Sequence, residues 1–117
     1  MNIIYGISNC DTIKKTRKWL EKNNIEHEFH DFRKEGVNVF QLRDWVSQLG
    51  WKKLVNKRST TWRNLPSETK EKMNEVLALY LMEEQPTLIK RPVLVTPDGT
   101  MIGFNEQQYA IYFKIKL

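Results

Sequence analysis

Apolar and polar positions change period several times along the chain, and each change marks an element. The opening "NIIY" is a β-branched and aromatic run that stops at Gly6, which suits a buried strand of about four residues. From about Cys10 to Lys22 the apolar residues Ile13, Trp19 and Leu20 sit among charges, a helical pattern that "KNN" before Ile25 brings to a stop. "HEFHDF" at 27–32 alternates as a second strand, and "RKEGVN" after it reads as a turn.

Asn38 with Gln41 three residues on has the form of a capping box. Leu42, Trp45, Val46 and Leu49 follow at i, i+3, i+4 and i+7, and Gly50 is placed to end that helix. Residues 51–66 read as short helical pieces and loop. Ser67 after Pro66 is expected to cap a further helix, with Met73, Val76, Leu77, Tyr80 and Leu81 as its core-facing stripe and Pro86 as its end. "PVLVTPDGTMIGF" at 92–104 carries the signature of a hairpin. Asn105 with Gln108 repeats the capping pattern ahead of a last helix, whose apolar side is Tyr109, Tyr112 and Phe113. The order is β-α-β, a helical middle, then β-β-α, so the first two strands are parallel and the closing hairpin adds antiparallel ones.

At 117 residues the chain is about one domain long, with no repeat and no linker rich in Gly, Pro or Ser. It has no apolar run long enough for a bilayer and no secretory leader at its start, so a cytoplasmic protein is expected. The net charge of +5 permits contact with anions without choosing among them. "KKTRK" and "WKKLVNKR" are the densest basic patches. They read as solvated surface, and no nucleic-acid partner is expected.

Cys10 is the chain's one cysteine, so any disulfide it forms is intermolecular. It stands between a strand and a helix, where free N–H groups and the positive end of the helix dipole stabilise an anion. Lys14 adds to that effect and Asp11 opposes it. Its neighbours Ser8, Asn9, Asp11 and Thr12 are polar, which fits a reactive surface thiol better than a buried filler. His27 and His30 have no second cysteine to join them, so no metal site is expected. Position 13, where dithiol reductases usually keep a resolving thiol, is Ile13, so an adduct on Cys10 needs an outside thiol such as glutathione. Arg91 before Pro92, and Arg58 and Arg63 in "NKRSTTWR", offer planar forks for a carboxylate or oxyanion.

Taken together, "IYGISNCDTIKKTRKWL", "LGWKKLVNKRSTTWRNL", "LIKRPVLV" and "IGFNEQQY" resemble the arsenate-reductase-related family of thioredoxin-like proteins over essentially the whole chain. That family includes glutaredoxin-coupled arsenate reductases, Spx-type regulators and a bacterial branch called YffB, and "YGI-NCDTIKK" with "TTWR" is most similar to the last. The resemblance implies a thioredoxin-like α/β fold, a single domain over residues 1–117 with a mixed four-stranded sheet and a helical insertion at roughly 36–88. It also implies a cis Pro92 whose loop lies beside Cys10. Cys10 matches the family's nucleophile and Arg91 its arginine before proline. Arg58 corresponds to an arginine of the regulators, about two positions from where the arsenate reductases keep theirs. The arsenate reductases have a histidine where this chain has Gly6, and a third arginine where it has Phe104.

The expected function is that of a monomeric, glutathione-dependent thiol reductase. Cys10 is its nucleophile, and Asn9, Arg58, Arg91 and Pro92 bind the substrate or glutathione. Glutathione serves as co-substrate, no cofactor is held tightly, glutaredoxin is a candidate partner, and the substrate is a small anion or thiol. Two alternatives are carried: a glutaredoxin-coupled arsenate reductase, and a Spx-like regulator that binds RNA polymerase.

Overall fold

In a computed structural model that describes residues 1–116, the chain divides into two compact units. Met1–Asp31 and the chain from Arg91 onward form an α/β unit, and Phe32–Lys90 form a helical unit.

The α/β unit holds β1 (Ile3–Gly6), α1 (Asp11–Lys22) and β2 (Glu28–Asp31), with β3 (Val93–Thr96), β4 (Gly99–Ile102) and a final helix, α8 (Glu106–Tyr112). The sheet order is β2-β1-β3-β4; β1 and β2 are parallel, and the other pairs are antiparallel. This is the mixed four-stranded sheet of the thioredoxin-like fold that the resemblance implied, and its parallel and antiparallel pairs agree with the element order read from the sequence. Ile4 and Leu94 face each other across β1 and β3 and are fully buried, as are Leu20 of α1 and Tyr109 of α8. Each aliphatic side chain so buried contributes about 1.5–3 kcal/mol. Trp19, Phe104, Tyr109 and Phe113 close the cluster with edge-to-face and tilted contacts. Burial pushes the Tyr109 phenol up from its ordinary range, and its hydroxyl donates to the Gly103 carbonyl at 3.0 Å.

Local chemistry ends α1 where the sequence indicated. Asn23 donates its side-chain amide to the Trp19 carbonyl at 2.8 Å, and Asn24 takes a left-handed conformation with φ of 58°. The Ile25 N–H then closes on the Leu20 carbonyl at 2.9 Å. β2 stops at Asp31, one residue short of the expected strand. Phe32 and the stretch read as a turn instead form a helical turn, α2 (Phe32–Glu35), in which Phe32 is buried.

The helical unit continues with α3 (Val39–Leu49), α4 (Trp51–Leu54), α5 (Thr60–Arg63), α6 (Ser67–Glu71) and α7 (Glu75–Glu84). Asn38 caps α3 by accepting from the Phe40 and Gln41 N–H groups, and Gly50 ends it with φ of 86°. Leu42, Trp45 and Val46 are buried as the spacing predicts. The expected single helix after Ser67 is broken. Ser67 is the first residue of α6 rather than its cap, and Asn74 restarts the helix by accepting from the Leu77 N–H at 2.9 Å. The expected stripe is corrected too: Ala78 and Met82 are buried, whereas Val76 and Tyr80 are 76% and 59% exposed. In "EVLALYLMEE" apolar residues run almost all the way round, so packing rather than periodicity chooses the face. Among the described residues no helix is long and apolar enough to cross a membrane.

Candidate active site

Cys10 is the N-cap of α1, with extended backbone at φ of −145° and ψ of 123°. Its carbonyl accepts the Lys14 N–H at 3.0 Å, closing the first turn, and its side chain makes no capping hydrogen bond. Ser8 and Asn9 are exposed on the approach, while the half-buried Cys10 rests against the aromatic and aliphatic core. The sulfur therefore stands where a hydrophobic wall meets solvent, at the positive end of a twelve-residue helix.

Sheet register brings a second segment to the same end. Tyr5 pairs with Val93 across the antiparallel β1–β3 ladder, so the residues just before Val93 lie opposite those just after Tyr5. These are Pro92 and Arg91 against Gly6 and Ile7. The Arg91–Pro92 bond is cis, as the resemblance implied. Pro92 is buried and has no N–H, and its carbonyl accepts from Gly103 at 2.8 Å, tying the loop to the end of β4. Cys10, Asn9, Arg91 and Pro92 thus belong to one unit and to one end of its sheet.

Gly6 and Ile13 are one packing feature. A Cβ at Gly6 would stand 2.3 Å from the Ile13 Cδ1 and 2.8 Å from its Cγ1, with the Arg91 Cβ at 3.9 Å. Ile13 is buried and fills the space above Gly6. Nothing in a single sequence signals this pairing of positions seven residues apart.

Arg58 belongs to the helical unit, in the loop between α4 and α5, where its N–H donates to the Asn56 side chain at 3.0 Å. It lines a basic depression with Lys52, Lys57 and Lys90. Residues 45–67 hold five cations and no carboxylate. Arg63 is exposed and bonds to Thr60 on its own helix at 3.2 Å. His27 precedes β2, with Nδ1 3.2 Å from the Ile25 carbonyl, and His30 stacks against Tyr5 at 4.8 Å.

A profile described as the ArsC family matches residues 5–112. The chain belongs to the ArsC family. It is 49% identical to an uncharacterized protein of Haemophilus influenzae over 97% of this chain and 99% of that one. It is 34% identical to the regulatory protein MgsR of Bacillus subtilis, over 86% of this chain and 81% of the other. With global transcriptional regulator Spx 2 of Bacillus anthracis it shares 25% identity over 92% and 83%. Among solved structures, a protein described as YffB superposes with a TM-score of 0.91 at 39% identity, covering 95% of this chain and 97% of that one. An arsenate reductase (ArsC) related protein from Brucella melitensis superposes with a TM-score of 0.78 at 42% identity, over 97% and 95%. ArsC-family relatives thus include both reductase-related proteins and regulators.

Proposed function

We propose that the protein is a thiol reductase that uses glutathione as co-substrate and Cys10 as nucleophile. One observation carries this reading: the chain's single thiol belongs to the N-cap residue of α1, at the end of the sheet where the cis Arg91–Pro92 bond also lies, while the position of a resolving thiol is filled by buried Ile13. The Cys10 thiolate attacks the glutathione sulfur of a mixed disulfide, forms a Cys10–glutathione disulfide and releases the substrate thiolate, which takes a proton from water. A second glutathione thiolate then attacks that sulfur, frees Cys10 and leaves as oxidised glutathione. The free N–H groups at the start of α1 favour the thiolate as nucleophile and as leaving group. Arg91 holds a glutathione carboxylate, and the backbone beside Pro92 pairs with the glutathione peptide. Intact-mass measurement after mixing with oxidised glutathione at mildly alkaline pH tests this. One glutathione adduct is expected, absent from Cys10→Ser; an unmodified wild-type protein counts decisively against it.

A second reading, arsenate reduction coupled to glutathione and glutaredoxin, draws on the similarity to the Brucella protein. Two features weigh against it. Phe104 packs against Trp19 and Tyr109 at the edge of the core, so an apolar ring stands in the place of a third oxyanion-binding arginine, and Gly6 has no room for a side chain. In a coupled NADPH assay, arsenate turnover no greater than that of Cys10→Ser removes this reading. A third, a regulator that binds RNA polymerase without catalysis, draws on the likeness to MgsR and Spx 2. An affinity pull-down that recovers no polymerase subunit removes it.

A further inference from the structure

We propose that the face of α1 leading away from Cys10 is a carboxylate-binding groove that selects thiol substrates with an acidic residue about three positions from the reactive cysteine. The inference rests on the reading of Cys10 as nucleophile and adds a substrate class to it.

Residues three, four, seven and eight after Cys10 share its helical face, and they are Ile13, Lys14, Arg17 and Lys18. With Ser8 before the nucleophile and Glu21 at the far end, these four line one depression. Three of its six residues are cations, and among the described residues none of the three forms an ion pair. Arg17 is the fixed point. Its guanidinium lies over the Phe29 ring at 4.7 Å, which sets its plane. Its Nε is buried and has no hydrogen-bond partner. The buried Nε leaves the guanidinium short of acceptors, and the half-buried side chain presents the rest of its fork to the depression, where a carboxylate is the matching acceptor. Glu21, four residues on, leaves it unpaired. On its other side Arg17 borders a depression rimmed by Glu21, Glu26 and Glu28, which steers an anion toward the lysines and Cys10.

Distance names the occupant. Seven residues of helix separate Cys10 from Arg17 by about 10 Å. An extended peptide covers about 3.3 Å per residue, so the same span is about three residues. A peptide whose cysteine meets Cys10 therefore brings a side chain three positions away to Arg17, and Lys14 and Lys18 favour Asp or Glu there.

The test uses Cys10→Ser, which cannot exchange, and peptides of one sequence whose cysteine carries glutathione in a mixed disulfide. Glu, Gln or Lys stands three residues from the cysteine, on either side in two series. Calorimetry is expected to give about tenfold tighter binding for Glu than for Gln in one of the two series, with Lys weaker still. The preference shrinks as salt rises and disappears when Arg17→Gln is added. Lys14→Gln, at an exposed position with no packing role, reduces it severalfold and keeps the test informative if the Arg17 variant fails to fold. Equal affinities for the three peptides overturn the proposal, as does a preference that survives both substitutions. The same peptides offered to the wild-type protein report separately on the thiol: no exchange with any of them removes the reductase reading and leaves the affinity ratio to judge the groove.

Discussion

The α/β unit and the helical unit hold their candidate site residues by different means. In the α/β unit a backbone ladder fixes Arg91 and Pro92 opposite Gly6, and a twelve-residue helix fixes Cys10, so position comes from register and hydrogen bonds. In the helical unit Arg58 follows a four-residue helix and precedes another, and neither would persist alone in water. They are held by side-chain caps such as Ser59 on α5, and by main-chain links such as the Asn56 N–H to the Leu88 carbonyl at 2.8 Å. The proposed thiol chemistry needs its groups placed to a fraction of an ångström, and a sheet ladder is the means suited to that.

The largest expected effect breaks the helical unit without touching the thiol. Met82→Ala empties a fully buried site and is expected to cost about 2–5 kcal/mol, whereas Val76→Ala on the exposed side of the same helix costs under about 0.5 kcal/mol. Chemical denaturation of the two variants measures the contrast. Similar losses from both would return the helix to the stripe read from its sequence.

A smaller effect sharpens the account of the α/β unit. Gly6→Ala drives a methyl group into Ile13 and is expected to cost about 1–3 kcal/mol. Adding Ile13→Val makes room, so the double variant is expected to lose less than the two single losses combined. Simple additivity would mean that the two positions do not share that space.

The smallest effect is a pH slope belonging to the α/β unit. Unfolded Tyr109 ionises near pH 10, while burial holds the folded phenol neutral to higher pH. The folded state therefore keeps a proton that the unfolded state has lost. Its stability contribution is complete below about pH 10 and declines above it by at most about 1.4 kcal/mol per pH unit. Tyr109→Phe is expected to flatten that part of the slope in unfolding curves recorded from pH 9 to 11. An unchanged slope would place the titration elsewhere.

The same contrast explains which parts could be read from residues alone. Short β-branched runs, Asn caps and the "PDG" turn each act within a few residues, so the strands, α1, α3 and the final helix were legible. The cap at Asn74 is equally local, yet it stood inside a segment whose apolar residues suggested one continuous helix. In α7 periodicity could not choose between faces because both are apolar. Cys10, Arg91 and Pro92 stood out by residue type and resemblance. The groove was not read because its content is an arginine seven positions beyond the nucleophile, unremarkable in sequence among Lys14, Lys15 and Lys18.

The proposed reaction requires glutathione to engage Cys10 against the Arg91–Pro92 loop. A crystal structure of the protein treated with oxidised glutathione tests it most directly. One glutathione is expected in disulfide linkage to Cys10, with a carboxylate held by Arg91 and its peptide paired to the backbone beside Pro92. A reduced Cys10, with glutathione absent or bound away from the start of α1, would contradict it.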